Sequence, residues 1–557
     1  MMNQFNTIEG NEYFYSVLLI QDKQLTPEAK YLLIRILWLS RKQLTSISLL
    51  ASIEQFGLSE AVLRKAYELL LRLGYLEECK PSAEVKQQVG RPKKLVQVTK
   101  WGMEKIHAEF VKSQIWLSKQ CGAHKQRIDL LLLWDEIKDV LRQQNQKKIE
   151  KDNDDTARRY TFTAATRILL AILYLHADRH GVVKDLSLGE LSKLTGMLSD
   201  RLESQFIIIT GLGYLLSRVA GLTNKALFGQ VKSVFFLNVY NDNLLASKDK
   251  PVLLLTIAPR NHHMRYSWAY LIKLWLHSPV KIFPYMTHKT DNQIDVFIRN
   301  AFNVKNNLKQ QYPVLNETNL AEDLPQLLEC IKKRFEAEGL YFYINHQSVK
   351  EIKKSYLEWI NQQLPLDWLS FFYYFKIEEL FSSGLTTEFF NYLQLKINEY
   401  ACELLNDVFR QKKDNDDWHQ QVYMQPSILA KIRADLFSTV KPHDVIRNKT
   451  KKSALEFFIY CIAYHHALEM KALVEYVLPS TLDDDYSLSM LPVNNSLNCN
   501  FAYLQIISIY SKNRLYDESC IVKCYSTLDS KFFSIDIAKL DEGLMKEIGY
   551  DLKKLVS

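Results

Sequence analysis

The run Gly57-Leu58-Ser59-Glu60-Ala61-Val62-Leu63-Arg64-Lys65-Ala66-Tyr67-Glu68-Leu69-Leu70-Leu71-Arg72-Leu73-Gly74-Tyr75-Leu76 reads as a turn, a helix and the start of a strand. Ser59 stands where a helix N-terminus needs a side-chain acceptor for its orphan amides. Gly74 stands just past the last apolar repeat, where a left-handed residue closes a helix. Upstream, Leu25-Thr26-Pro27-Glu28 is a second start signal, with Thr26 as cap and Pro27 at the first helical position. The following Tyr31–Leu39 is apolar on almost every face, as a buried first helix would be. Ser46–Gln55 is expected to form a short second helix, and Phe56-Gly57-Leu58 the turn into the third. Downstream, Tyr75-Leu76-Glu77-Glu78 starts a strand, Lys80 to Lys94 forms a polar basic tip, and Leu95-Val96-Gln97-Val98 returns.

The same order recurs 136–139 residues later. Ile168–Leu175 answers the first helix, with Ile172-Leu173-Tyr174-Leu175 against Ile36-Leu37-Trp38-Leu39. Leu188–Leu194 and Thr195-Gly196 answer the second helix and the turn. A third helix from Ser199 ends in Leu212-Gly213-Tyr214-Leu215, against Leu73-Gly74-Tyr75-Leu76. A hairpin follows, Leu215–Val219 and Val231–Val239, with its tip at Gly221–Gly229. In each copy the turn glycine and the terminal glycine are 17 residues apart (57 to 74, 196 to 213), so the unit is read as duplicated.

Three helices and a two-stranded wing resemble the winged helix-turn-helix superfamily. The first copy is similar to its MarR or PadR type in Gly57-Leu58-Ser59, in Leu73-Gly74-Tyr75-Leu76 and above all in Gly90-Arg91-Pro92-Lys93-Lys94-Leu95-Val96-Gln97-Val98-Thr99 followed by Gly102. The resemblance spans residues 20–105 and, less closely, 160–240. It implies that the third helix enters the major groove of duplex DNA, where each base pair shows a distinct donor and acceptor pattern. It then gives Ser59, Glu60, Arg64 and Lys65 to that groove, and Arg91, Lys93 and Lys94 to phosphates or the minor groove. In the second copy the corresponding set is Arg201, Ser204 and Gln205, with Lys225 in the wing. Asp200, Glu203 and the apolar Phe206-Ile207-Ile208-Ile209 leave that copy open to a protein contact instead.

Charge favours the same half of the chain. The net charge is +8, and residues 1–250 hold 36 Lys and Arg against 27 Asp and Glu, so the excess is entirely N-terminal and would attract a polyanion there. The 557 residues exceed one core and suggest three to four domains at about 150 residues each. The boundaries expected are a winged-helix domain at 1–110, a helical connector and polar linker at 111–158, a second winged-helix domain at 159–245, and a mostly helical region at 246–557 for self-association or partner binding. The fold class expected is therefore mainly α. An apolar fraction of 47% excludes general disorder, and 17 Gly with 14 Pro argue against turn-rich all-β folds. Eight cysteines without a CxxC pair read as buried thiols, not a disulfide framework.

Within 251–557, helices are expected at Lys305–Gln311, Glu329–Gly339, Leu364–Phe381, Glu388–Phe409, Ser427–Phe437 and Ala454–Val477, with Val252–Ile257 a short strand. No phosphate loop, dinucleotide fingerprint, zinc-protease helix or nucleophile elbow is present in the sequence. His262-His263 and His465-His466 project to different faces and chelate poorly. Asp483-Asp484-Asp485 reads as a solvated turn, Glu469-Met470-Lys471 as part of a helix, and Phe371–Phe375 as core. Catalytic residues, metals and cofactors are therefore not expected. The apolar stretches Phe206–Leu216 and Phe457–Leu468 are too short to span a membrane, and the N-terminus lacks a signal-peptide pattern. The expectation is a cytoplasmic, bacterial-type protein that binds double-stranded DNA sequence-specifically, as a transcriptional regulator. A plasmid-type replication initiator with paired winged helices, and a mobile-element or defence effector with a C-terminal activity, are the alternatives.

Overall fold

The computed structural model describes residues 12–42, 47–48, 58–79, 95–133, 163–224, 227–239, 252–259, 377–381, 386–411, 425–437, 449–477, 486–491, 501–511, 522–526 and 531–535, with single positions at 269, 272 and 276. These residues are mainly helical.

Helix α1 (Glu12–Leu19) leads into α2 (Pro27–Lys42). Thr26 Oγ1 accepts from the Ala29 amide at 3.3 Å, so the expected cap is present. Tyr31–Ile34, Ile36 and Leu37 are all buried, as an all-round apolar helix demands. A strand β1 (Ile47–Ser48) follows, and then α3 (Glu60–Arg72), β2 (Leu76–Cys79) and β3 (Leu95–Val98). The strands form an antiparallel sheet in the order β1–β3–β2. The helix expected over Ser46–Gln55 is corrected at its start alone: Ile47 and Ser48 are extended and pair with Val96 and Leu95. The β-branched isoleucine fits a half-buried sheet better than the first turn of a helix. Residues 49–57, including Gly57, lie outside the described residues.

After α4 (Lys100–Leu133), which kinks at His124, the second set of elements begins. It comprises α5 (Ala164–His176), β4 (Val182–Val183), α6 (Leu188–Thr195), α7 (Ser199–Gly211), β5 (Leu215–Val219), β6 (Leu222–Asn224), β7 (Gly229–Val231) and β8 (Val234–Leu237). Thr163 with Thr166, and Ser187 with Glu190, form reciprocal capping boxes at the starts of α5 and α6. The sheet order is β4–β8–β5, the same topology as β1–β3–β2, and β6 pairs with β7 beyond it.

The two sets also close their third helices identically. Tyr75 N–H donates to Leu70 O and Gly74 N–H to Leu71 O; Tyr214 N–H donates to Ile209 O and Gly213 N–H to Thr210 O. Gly74 and Gly213 have φ of 79° and 78°, so both ends are Schellman motifs built on a left-handed glycine. The duplicated phrase Leu-Gly-Tyr-Leu is thus a duplicated backbone turn.

Side chains from 14–133 and 164–237 share one continuous hydrophobic core. α4 packs against both α1 and α5 and carries the chain from the first set to the second. Its Arg35 and Arg167 neighbours bind backbone carbonyls near its end: Arg35 donates to Leu133 O, and Arg167 to Leu131 O at 3.3 Å. Polar contacts lock α2 to the second set, among them a hydrogen bond from Arg167 Nη1 to Tyr31 Oη at 3.3 Å. Glu28 forms an ion pair with Arg201 of α7. Lys30, fully buried, donates to Ile20 O and to Leu194 O, both at 2.6 Å, and so closes the carbonyl ends of α1 and α6 together. At Gly196 (φ 71°) an added Cβ would collide with the carbonyl of Leu25, so the turn between α6 and α7 depends on glycine for both conformation and contact.

Burial pulls the Lys30 ammonium down to about 7, against the raising effect of Asp22 and Glu109. A neutral amine still offers one N–H to each carbonyl. The unfolded chain holds that proton up to about pH 10.5, so between pH 7 and 10.5 the unfolded state binds more protons and stability rises with pH. The Lys30→Met protein is expected to lose this rise. Urea midpoints at pH 7, 8 and 9 check it, and an unchanged slope would contradict the assignment.

The C-terminal elements are α8 (Thr387–Gln411), α9 (Pro426–Leu436), α10 (Lys449–Val477) and a five-stranded sheet. The sheet joins β9 (Val252–Pro259), β10 (Tyr486–Leu491), β11 (Phe501–Ser511), β12 (Val522–Ser526) and β13 (Lys531–Ile535) in the order β10–β11–β9–β12–β13. Its β9–β12 pair is parallel and the others antiparallel. The helices match three expected ones and the strand Val252–Ile257 is present. The description of 246–557 as mostly helical omits the sheet around that strand. Its signal is readable in β10, where Leu488 and Met490 are buried and Ser487 and Ser489 alternate with them. The helices expected at 305–311 and 329–339, most of 364–381, and the Phe371–Phe375 run lie outside the described residues.

Candidate nucleic-acid interface

α3 has one face in the core and one in solvent. Leu63, Ala66, Tyr67 and Leu70 are buried and hold it against α2. Ser59, Glu60, Arg64 and Lys65, the expected groove-facing residues, are all exposed, and so are Ala61, Glu68 and Arg72 on the same side. The structure therefore brings the four together. Arg64 Nη2 lies 2.6 Å from Glu60 Oε1, one helical turn back, with both side chains more than half exposed. An exposed i,i+4 pair holds the guanidinium only weakly, and it can exchange Glu60 for a stronger anion. Ser59 sits at the N-cap without a side-chain cap bond. Tyr67 Oη donates to Glu78 Oε1 at 2.7 Å and ties α3 to β2, so helix and hairpin move as one piece. The hairpin leaves the sheet beyond the Cys79–Leu95 pair. Arg91, Lys93 and Lys94 in its tip lie outside the described residues.

The corresponding face of α7 has a different chemistry. Aligned on Gly74 and Gly213, Ser59 is replaced by Leu198, Arg64 by Glu203, Lys65 by Ser204 and Glu68 by Ile207. Leu198 is 80% exposed and Ile207 63%. Arg201 is engaged by Glu28, and Ser204 Oγ donates to the Asp200 carbonyl at 2.8 Å. Gln205 is corrected outright. It is buried, and its Oε1 accepts from Thr166 Oγ1 at 2.8 Å, so it cannot reach a base. The sequence placed it only one position off the solvent face, and a buried amide with a satisfied oxygen follows from that rotation of about 100°. Glu203 receives two bonds from Arg218, at 2.8 and 2.9 Å.

The second hairpin is also engaged. Its tip at β6–β7 runs into the C-terminal helices. Phe228 N–H donates to Leu436 O at 2.8 Å, and its ring lies 5.8 Å from Phe389 and 5.2 Å from Tyr392. Phe228 is buried with φ of 64°, a left-handed value that bulky residues rarely take. Lys225, beside this tip, lies outside the described residues. No family model, curated protein or solved structure matches the chain.

A charged cluster extends the same junction. Lys184 and Lys396 both reach Glu399, at 2.9 and 3.0 Å; Lys396 also reaches Asp435 at 3.2 Å, and Tyr400 Oη donates to Asp435 at 2.9 Å. Burial would raise the Glu399 carboxyl, but the two lysines hold it below the usual range. His180 Nε2 lies 3.0 Å from Ser487 Oγ of β10. None of these residues was singled out in the sequence. They meet across more than 200 positions, and no local spacing announces them.

Among the described residues no group of three or more His, Cys, Asp or Glu is placed to hold a metal ion, and no helix is long and apolar enough to cross a membrane. Cys79 and Cys402 are free thiols, and burial pushes that of Cys402 up to about 12. Met470 is buried within α10, so Glu469-Met470-Lys471 is helical as expected; His262-His263 and Asp483–Asp485 lie outside the described residues.

Proposed function

We propose that the chain is a sequence-specific double-stranded-DNA-binding protein, a transcriptional regulator, made of two tandem winged-helix units of unequal role. The first unit reads DNA: α3 enters the major groove and the basic hairpin tip grips the backbone. The second unit is a hub that carries the reading head on one side and the C-terminal region on the other. The observation that supports this division most is the contrast between equivalent helix faces. α3 presents Arg64, Lys65 and Arg72 against Glu60 and Glu68 to solvent, a balance of +1, whereas α7 presents Arg201 against Asp200 and Glu203, a balance of −1, beside the apolar Ile207. A polyanion is attracted by the first and repelled by the second. The engagement of the second hairpin by Leu436, Phe389 and Tyr392 supports the same reading.

Selection of bound duplexes from a random pool, with full-length protein near physiological salt, tests the proposal. One enriched motif per reading head is expected. Arg64→Ala is expected to cost about 1–3 kcal/mol on that motif and to relax one position. Lys93→Ala should weaken all sequences alike and reduce the salt slope by about one. Substitutions at Glu203 should leave the motif unchanged. Absence of any enriched motif, with binding that vanishes as salt rises, would overturn sequence-specific recognition.

A further inference from the structure

The exposed side chains of α3 divide into a stripe and an edge. Ala61, Lys65, Glu68 and Arg72 step by four, three and four residues, so they line up along the middle of the solvent face. Glu60 and Arg64, joined by their ion pair, form one edge of it. Among the described residues of α3, Ala61 is the one apolar residue that is exposed. Leu63, Ala66, Tyr67 and Leu70 are buried, and Val62, Leu69 and Leu71 are half-buried. Ala61 stands in the first turn, two residues after the N-cap Ser59 and two before Leu63, whose amide donates to Ser59 O.

Size and place give this methyl group a use that its neighbours lack. A helix laid in the major groove meets base edges with its first turns. Lys65, Glu68 and Arg72 carry long side chains that keep the backbone back from whatever they touch, whereas the single Cβ at 61 lets the first turn approach closest. The chemistry of the groove decides what a methyl group can meet at that depth. Adenine, guanine and cytosine present donors and acceptors there, and covering those with a methyl group leaves them unsatisfied. Thymine adds an apolar group, its 5-methyl. We propose that Ala61 reads the 5-methyl group of one thymine in the bound duplex. The contact rests on the DNA-binding reading of α3 and adds a specificity-determining residue to it. Ala61 and Arg64 are three residues apart, about 4.5 Å along the helix axis. One base step is about 3.4 Å, so the thymine lies within about two base pairs of the pair that Arg64 contacts. On α7 the equivalent place, aligned on Gly74 and Gly213, holds Asp200, which has no methyl group to offer.

Replacing a thymine by deoxyuridine deletes its methyl group and nothing else. The probes are the duplex that the full-length protein selects from the random pool, and copies of it with deoxyuridine at each thymine in turn. One copy, altered within about two base pairs of the position that Arg64→Ala relaxes, is expected to bind the parent protein about three- to fivefold more weakly, the worth of one buried methyl group. Ala61→Gly should bind the thymine and deoxyuridine forms of that duplex equally, to within about 1.5-fold. Each ratio is taken on a single protein, so any loss of folded protein through a glycine in the helix cancels. A motif with no methyl-sensitive thymine within that distance would overturn the proposal. So would a preference for thymine that survives in Ala61→Gly, since it would then belong to the stiffness of the DNA. Both results come with an enriched motif and leave the DNA-binding reading standing. A pool that yields no motif would overturn that reading and this contact together.

Discussion

Phe228→Ala is expected to destabilise the junction between the second hairpin and the C-terminal helices by about 3–5 kcal/mol, the usual range for deleting a buried phenyl ring. The ring lies between Phe389 and Tyr392 of α8, at 5.8 and 5.2 Å between ring centres. The backbone supplies an internal control. At φ 64° any side chain with a Cβ is strained, and glycine is not. Phe228→Gly loses the same ring but relaxes the turn, so it should be less damaging than Phe228→Ala by about 1 kcal/mol. Urea unfolding of the two variants and the parent measures both quantities. Equal losses would show that the left-handed turn carries no strain. A negligible loss in both would show that the hairpin tip does not hold the C-terminal helices.

Acid is expected to unfold the N-terminal body through His124. Its Nδ1 lies 2.9 Å from Arg127 Nη1, and its Nε2 lies 2.6 Å from the Asp178 carbonyl. A guanidinium can only donate, so Nδ1 must accept, and the ring proton sits on Nε2 and points at the carbonyl. Protonating the ring would aim a second N–H at Arg127. Burial first, and then the Arg127 charge, depress the imidazole to about 3. The unfolded chain takes up the same proton near pH 6.5. Between pH 6.5 and 3 the unfolded state therefore binds one more proton, and stability falls as the solution is acidified, by up to about 1.4 kcal/mol per pH unit. His180 is also depressed, chiefly by burial, and adds to the slope. His124→Gln keeps a donor for the carbonyl and does not titrate. Its stability should fall with acid less steeply, by about one proton's worth. Denaturant midpoints at pH 6.5, 5.5 and 4.5 compare the slopes, and identical slopes would exclude His124 as the titrating group.

Local chemistry was legible where one residue type has one backbone consequence. Gly74 and Gly213 marked the ends of α3 and α7, Thr26 marked the start of α2, and both hairpins followed from the apolar runs beside them. The exposed face of α3 was equally readable, because Arg64 and Lys65 alternate with buried Leu63 and Ala66. Gln205 shows the limit of that method. One step around a helix separates solvent from core, and only the packing of α5 decides which side an amide takes. The two-residue strand β1 carried too little pattern to be told from the start of the helix expected over Ser46–Gln55. Phe228 was hidden for another reason: an aromatic in a hairpin tip reads as a loop residue until its partners, 160 and more positions away, are in place. The cluster of Lys184, Lys396, Glu399 and Asp435 was invisible for the same reason, since no single stretch contains more than two of its members.

The pairing of β9 with β12 has a consequence for how the protein is made. About 260 residues separate the two strands, and the parallel ladder between them places β9 at the centre of its sheet. On a ribosome adding about 5–20 residues per second, Val252–Pro259 emerges roughly 13–50 s before β12 exists. During that interval its apolar Val-Leu-Leu-Leu run has two unsatisfied edges, while the strands of residues 12–237 already have their ladder partners and Phe228, Lys184 and His180 wait for α8, α9 and β10. The nascent chain therefore carries a folded N-terminal body tethered to a sticky, waiting strand, the kind of surface that holding chaperones capture. Slowing synthesis between codons 260 and 520 should lengthen that exposure and lower the soluble yield, while leaving the N-terminal body intact.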